Sequence, residues 1–225
     1  MFRVRCELIS FEGDEETFPC HFNYKIGDEI YFDGVHFTGR ICPGLFASMM
    51  PVVHGVYLLG HKYTENIMYR YRGHDVRDPS IQNHDGAGFR PVTSSEKRPP
   101  GKMGEVMIFD PKTGRARGAH FLCGDERTLA HFSCEPVDLS DSDYAQPFFR
   151  RSMAVLEKIE AEPGIQAEEI LSGFSESQRN DISPVLTPVL LQVLLEALTD
   201  MKYIESRENG LYATGKEPPR RSTNG

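Results

Sequence analysis

A cysteine followed at once by proline, Cys42-Pro43, heads a long uncharged segment and constrains this chain more than any other feature. The segment runs Gly44-Leu45-Phe46-Ala47-Ser48-Met49-Met50-Pro51-Val52-Val53-His54-Gly55-Val56-Tyr57-Leu58-Leu59. It predicts a helix that is apolar yet too short to span a membrane. Proline at the first helical position gives up a donor that goes unused there, so Cys42 falls at or near the N-cap. Its sulfur then feels the positive end of the helix dipole, which lowers a thiol pKa and favours the nucleophilic or metal-ligating thiolate. The alternative is a small residue buried under the helix start, because free cysteine is among the most buried residue types.

The flanking sequence supplies strands. Residues 2–9 alternate, with Phe2, Val4, Cys6 and Leu8 on one face. Gly27-Asp28 opens a second strand and Asp33-Gly34 closes it. Further on, residues 105–110 and 116–123 flank the turn Pro111-Lys112-Thr113-Gly114, and residues 129–137 form a strand carrying His131 and Cys134. The expectation is an α+β protein whose first domain, small and mixed, covers residues 1–140. A chain of 225 residues suits one large domain or two modest ones. Five cysteines, none in a CxxC, with no signal peptide or transmembrane run visible, predict a reduced cytoplasmic protein.

Three cysteines recur at element ends: Cys20 before the Gly27-Asp28-Glu29 strand, Cys42-Pro43 opening the helix, and Cys123-Gly124-Asp125 before the strand at Ala130-His131-Phe132. In these residues the chain resembles a family of small, uncharacterised cysteine-containing proteins found mainly in anaerobic bacteria and archaea. The resemblance covers about residues 1–60 and 118–137. It implies a shared fold and a recurring set of thiols, and no activity comes with it. The chain departs from the pattern at Leu122, where the family has a second adjacent cysteine, and in lacking an Arg-Pro before the last strand.

Residues 61–117 read as an insertion into that domain. Eleven Lys and Arg against seven Asp and Glu make it basic, +4 in a chain that carries −8 overall. Such asymmetry marks either a site for an anionic partner or a solvated loop. Within it stands Tyr69-Arg70-Tyr71-Arg72-Gly73-His74-Asp75. If extended, this stretch puts Arg70 and Arg72 on one face, where their guanidinium groups, with His74 beside them, suit phosphate or carboxylate. An edge strand with solvated Arg is the competing reading.

Cys20, Cys42, Cys123 and Cys134, with His21, His54, His120 and His131 as substitutes, offer enough ligand types for zinc or iron. Close ligand pairs are missing, so such a site requires convergence through the fold. Cys42 is alternatively a catalytic nucleophile assisted by a neighbouring His, or the cysteines are structural. No Ser-His-Asp order, metalloprotease helix, P-loop or dinucleotide fingerprint is present.

After an acidic boundary at 138–146 the pattern turns helical: 148–161, a short helix at 165–171, a long one at 183–201, then a hairpin around Asn209-Gly210. This order resembles a winged-helix domain over residues 147–216, with a disordered tail at 217–225. The long helix offers few groups for reading bases, only Thr187, Gln192, Glu196, Asp200 and Lys202, and more apolar surface than one core needs. A homodimer or a protein partner is therefore expected there rather than nucleic acid. The composite expectation is an accessory or regulatory protein whose thiol-bearing domain binds a metal or small anionic ligand and whose winged helix mediates assembly. The alternatives are a small enzyme using Cys42 or a Cys-bound metal on an anionic substrate, and a winged-helix transcription regulator.

Overall fold

In the computed structural model, which describes residues 1–63, 119–125 and 127–219, the early alternation becomes strand β1, Phe2–Phe11. Phe2, Val4, Cys6 and Leu8 are buried, and the residues between them are half-buried. Strand β2, Glu29–Phe32, pairs antiparallel with β1 in the register Val4↔Phe32 and Cys6↔Ile30, and β3, Phe37–Thr38, pairs with β2. Strands β4, Ala119–Leu122, and β5, Ala130–Leu139, complete a five-stranded sheet in the order β3-β2-β1-β5-β4. The Gly-Asp entry to β2 is a true turn, since Gly27 has φ +91°.

Helix α1 spans Pro43–Leu59 with Cys42 at its N-cap, as the Cys-Pro step predicts. A 3₁₀ turn, Gly60–Lys62, prolongs it, so the apolar segment Pro43–Lys62 is long enough by length and composition to cross a membrane, beyond the sequence expectation. Leu45, Met49, Val52, Val53, Val56 and Tyr57 are instead buried in the protein, and the helix packs on β4. Each such burial contributes roughly 1.5–3 kcal/mol, which makes α1 the core helix of its unit.

The two sides of the sheet differ. Phe121 and Phe132, directly opposite across β4 and β5, stack at 5.2 Å, and Tyr24 meets Phe132 edge-on at 5.5 Å. His120 and Leu122 alternate with Phe121 and project to the other side, as does His131, which stands opposite Leu122.

The described chain divides into two units. The α+β unit comprises Val4–Phe32 and Phe37–Pro136; the second comprises Val137–Gly225 with Met1–Arg3 and Asp33–His36. In the second unit, α2 (Gln146–Ala161), α3 (Ala167–Ile170, continued by a 3₁₀ turn), α4 (Glu176–Asn180) and α5 (Pro188–Asp200) precede a hairpin of β6 (Ile204–Arg207) and β7 (Gly210–Ala213). An Ile165↔Leu211 bridge adds a third extended segment to the hairpin. Leu156, Ile159, Ile170, Leu191, Leu194, Leu198 and Tyr203 form its core.

Two local differences from the sequence expectation have clear causes. Helix α5 starts at Pro188 instead of 183, because the Thr187 side chain accepts the Leu190 N–H and Pro188 occupies the first turn. The short helix α4 and the segment up to Pro184, for which the sequence predicts no helix before 183, are held from the side: the buried Arg151 donates to Gln178 O at 2.7 Å, Pro184 O at 2.8 Å and Arg179 O at 3.1 Å, and also to Ile182 O. Arg70, Arg72, His74 and nearly all of the expected insertion lie outside the described residues.

Candidate functional site

Three segments far apart in sequence bring their cysteines to one place. The first is the turn after Phe18, where Asn23 (φ +57°) donates to the Cys20 carbonyl at 2.8 Å. The second is the α1 N-terminus. The third is the turn joining β4 to β5, closed by Cys123 N–H to Ala130 O at 2.9 Å and Leu129 N–H to Asp125 O at 2.8 Å. Cys20, Cys42 and Cys123, with His21, Tyr24, Asp125 and Thr128, line a cavity of about 20 Å³. That is room for one water molecule or one ion.

Each wall of this cavity is held. Cys42 is extended (φ −71°, ψ 132°) and its side chain makes no capping bond, so the sulfur is not spent on the helix. Its N–H donates to the Tyr24 hydroxyl at 2.9 Å, and that hydroxyl donates to Arg40 O at 2.8 Å. Burial pushes the Tyr24 phenol up to about 12, so it stays a neutral two-way link. The Cys123 sulfur accepts the Ala130 N–H at 3.1 Å. Burial still dominates and pushes the Cys123 thiol up to about 12; the backbone hydrogen bonds work in the opposite direction. Asp125 is buried, with Oδ1 accepting the Arg127 N–H at 3.1 Å and Oδ2 within 3.1 Å of the Thr128 hydroxyl and 3.7 Å of His21 Nδ1.

Cys134 is not in this group. It is buried, and a hydrogen bond links it to the Cys6 thiol; burial first, then that bond, raise its pKa well above the ordinary thiol value. All five cysteines are free thiols. His54 is exposed on α1 and stacks on Tyr57. Among the described residues, no group of three His, Cys, Asp or Glu side chains is already arranged to hold a metal ion.

On the opposite side of the sheet lies a chain of polar groups built on two buried histidines, His120 and His131. His131 Nδ1 is 3.1 Å from Glu12 Oε1 and 3.2 Å from the Ser10 hydroxyl, which itself donates to Glu12. His131 Nε2 is 3.1 Å from His120 Nδ1. Burial lowers the His131 pKa, and the hydrogen bond to Glu12 counters it. Serine and carboxylate meet the same ring nitrogen, so this is no nucleophile triad, which needs the two on opposite nitrogens.

Sequence reasoning placed Cys20, Cys42 and Cys123 as companions but missed Tyr24 and Thr128, which carry no motif. Asp125 was visible only as part of Cys-x-Asp. Comparison of the chain with protein-family models, with curated proteins and with solved structures yields no match.

Proposed function

We propose that the α+β unit is a binding module for a single soft metal ion, zinc or iron, seated among Cys20, Cys42 and Cys123, and that the protein acts as an accessory or regulatory factor. The observation that carries this reading is that three cysteines, 22 and 81 residues apart in turn, line one ion-sized cavity at a helix N-terminus. Thiolates select soft cations. The Ala130 N–H on the Cys123 sulfur is the kind of outer hydrogen bond that steadies a ligating thiolate. His21 and Asp125 line the same cavity and offer further ligands.

The test is a Co(II) titration of protein prepared without an affinity tag. One equivalent of cobalt with a thiolate charge-transfer absorption is expected, and Cys42→Ser should weaken binding by about 100-fold or more. Affinity should rise with pH, because binding displaces the Cys123 proton. No absorption at any pH overturns the reading.

The second unit supports an assembly role. Its order of helix, two short helices, helix and hairpin, with the Ile165 bridge, supports a winged-helix reading, and Val189 and Val193 lie exposed on α5 at 73% and 42%. The nearby Glu196 and Asp200 oppose a nucleic-acid backbone and leave a second protein surface as the occupant. The enzyme alternative depends on Arg70 and Arg72, outside the described residues.

A further inference from the structure

Residues 12–21 and the described residues 123–125 and 127–131 run as one hydrogen-bonded clamp with a different chemistry at each end. Glu12, Gly13 and Asp14 donate their N–H groups to the carbonyls of Leu129 (3.0 Å), Thr128 (3.2 Å) and Arg127 (2.8 Å). Gly13 permits this approach, since a Cβ there would stand 2.0 Å from the Arg127 oxygen. The Thr128 hydroxyl lies 3.0 Å from Phe18 O, and the Arg127 guanidinium covers the Phe18 ring at 4.4 Å. One end of the clamp carries Cys20, Cys123 and Asp125; the other carries Glu12 and His131, bonded to each other and, through His131, to His120.

We propose that the Glu12–His131–His120 chain, with both histidines buried, is a protonation-sensitive latch on this clamp, so that acid loosens the clamp and expels the occupant of the thiol cavity. The part concerning the occupant rests on the metal-binding reading above.

The proton count gives the direction. With Glu12 ionised, His131 carries its proton on Nδ1 toward the carboxylate, and its Nε2 accepts from His120 Nδ1–H. One added proton is accommodated, because the resulting imidazolium is paired with Glu12. A second is not: two charged rings would then oppose N–H to N–H across 3.1 Å in a buried site. Among the described residues, the other ionisable groups on this side of the sheet are Arg3, Arg5 and Glu7 of β1, Glu29 and Tyr31 of β2 and Glu135 of β5. Arg3 pairs with Asp141 at 3.0 Å and the Tyr31 hydroxyl donates to Glu29 at 2.8 Å, so only Arg5 and the carboxylates of Glu7, Glu29 and Glu135 remain to be placed. Arg5 already engages all three carboxylates. Glu12 is therefore the counter-charge that the imidazoles use.

The coupling passes through Ala130-His131. The Ala130 N–H holds the Cys123 sulfur, and the next side chain holds Glu12. Releasing His131 from Glu12 frees the start of β5 and the 12–14 ladder together, and with them the positions of Cys123 and Cys20.

The experiment uses the full chain and two readouts. In metal-free protein, amide hydrogen exchange at Glu12, Gly13, Asp14 and Ala130 is compared between about pH 7.5 and about pH 5, corrected for the intrinsic rate. Protection should fall by about tenfold in acid and hold nearly level in His120→Gln, which cannot take the second proton. In Co(II) titrations the native chain should lose about tenfold more affinity than His120→Gln over the same range, the thiol protons being common to both. Glu12→Gln is the second variant. Without the counter-charge the closed clamp accepts even one proton less readily, so opening should begin at higher pH. Equal acid losses in the native chain and both variants overturn the latch. If cobalt binds to none of them, the metal reading fails, and the exchange measurement alone decides the latch.

Discussion

Tyr24 holds the start of α1 at the site, although nothing in its neighbourhood marks it. Its hydroxyl is the partner of the buried Cys42 N–H, and the same oxygen ties down Arg40. Tyr24→Phe leaves that N–H without its acceptor and should cost about 1–3 kcal/mol, read as a lower urea midpoint of the α+β unit at unchanged m-value. An unchanged midpoint would show that the link is idle. The cysteines also separate at this scale. Cys134 shares an alternating strand with core residues and behaves as one of them, whereas Cys20, Cys42 and Cys123 sit at element ends, where backbone turns set the direction of the sulfur. Cys134, a candidate ligand by sequence, is thereby corrected to a core residue, and only the turn geometry decides where the other three lie.

Among the elements, those with a local signature were legible. The alternation of β1, the Cys-Pro start of α1 and the Asn209-Gly210 hairpin all appear where the pattern places them. Helix α4 was missed, although Ser175-Glu176-Ser177-Gln178 carries a capping box: Ser175 Oγ accepts the Gln178 N–H at 3.1 Å, and Gln178 Oε1 accepts the Ser175 N–H at 2.9 Å. One turn of helix has no apolar period to find. The start of α5 was placed too early because an apolar run outweighed Thr187-Pro188. Thr187→Ala removes that N-cap and should destabilise the second unit by about 1 kcal/mol in a thermal or urea scan. No loss would mean that Pro188 alone sets the helix start.

For the whole molecule, the exposed valines of α5 carry the assembly proposal. The native chain should elute as a dimer in light scattering, and Val189→Glu with Val193→Glu should give a monomer whose urea midpoint is little changed, since neither side chain is in the core. A native monomer at high concentration would remove the dimer. Net charge bears on the same scale. The basic stretch at 61–117 offsets an otherwise acidic chain, and its arginines remain a sequence observation without a place in the described structure.

The sequence by itself determined the elements with short-range causes: alternating strands, a proline-started helix, a glycine hairpin, and three thiols at element ends. Local backbone preference and hydrophobic period need no distant partner, so they can be read along the chain. Only the tertiary structure decided that the thiols of residues 20, 42 and 123 share one ion-sized cavity while Cys134 does not. It alone paired Glu12 with His131, 119 residues away, on the other side of the same sheet. Those meetings depend on strand order and register, which place β5 between β1 and β4, and no local stretch of the chain encodes that order.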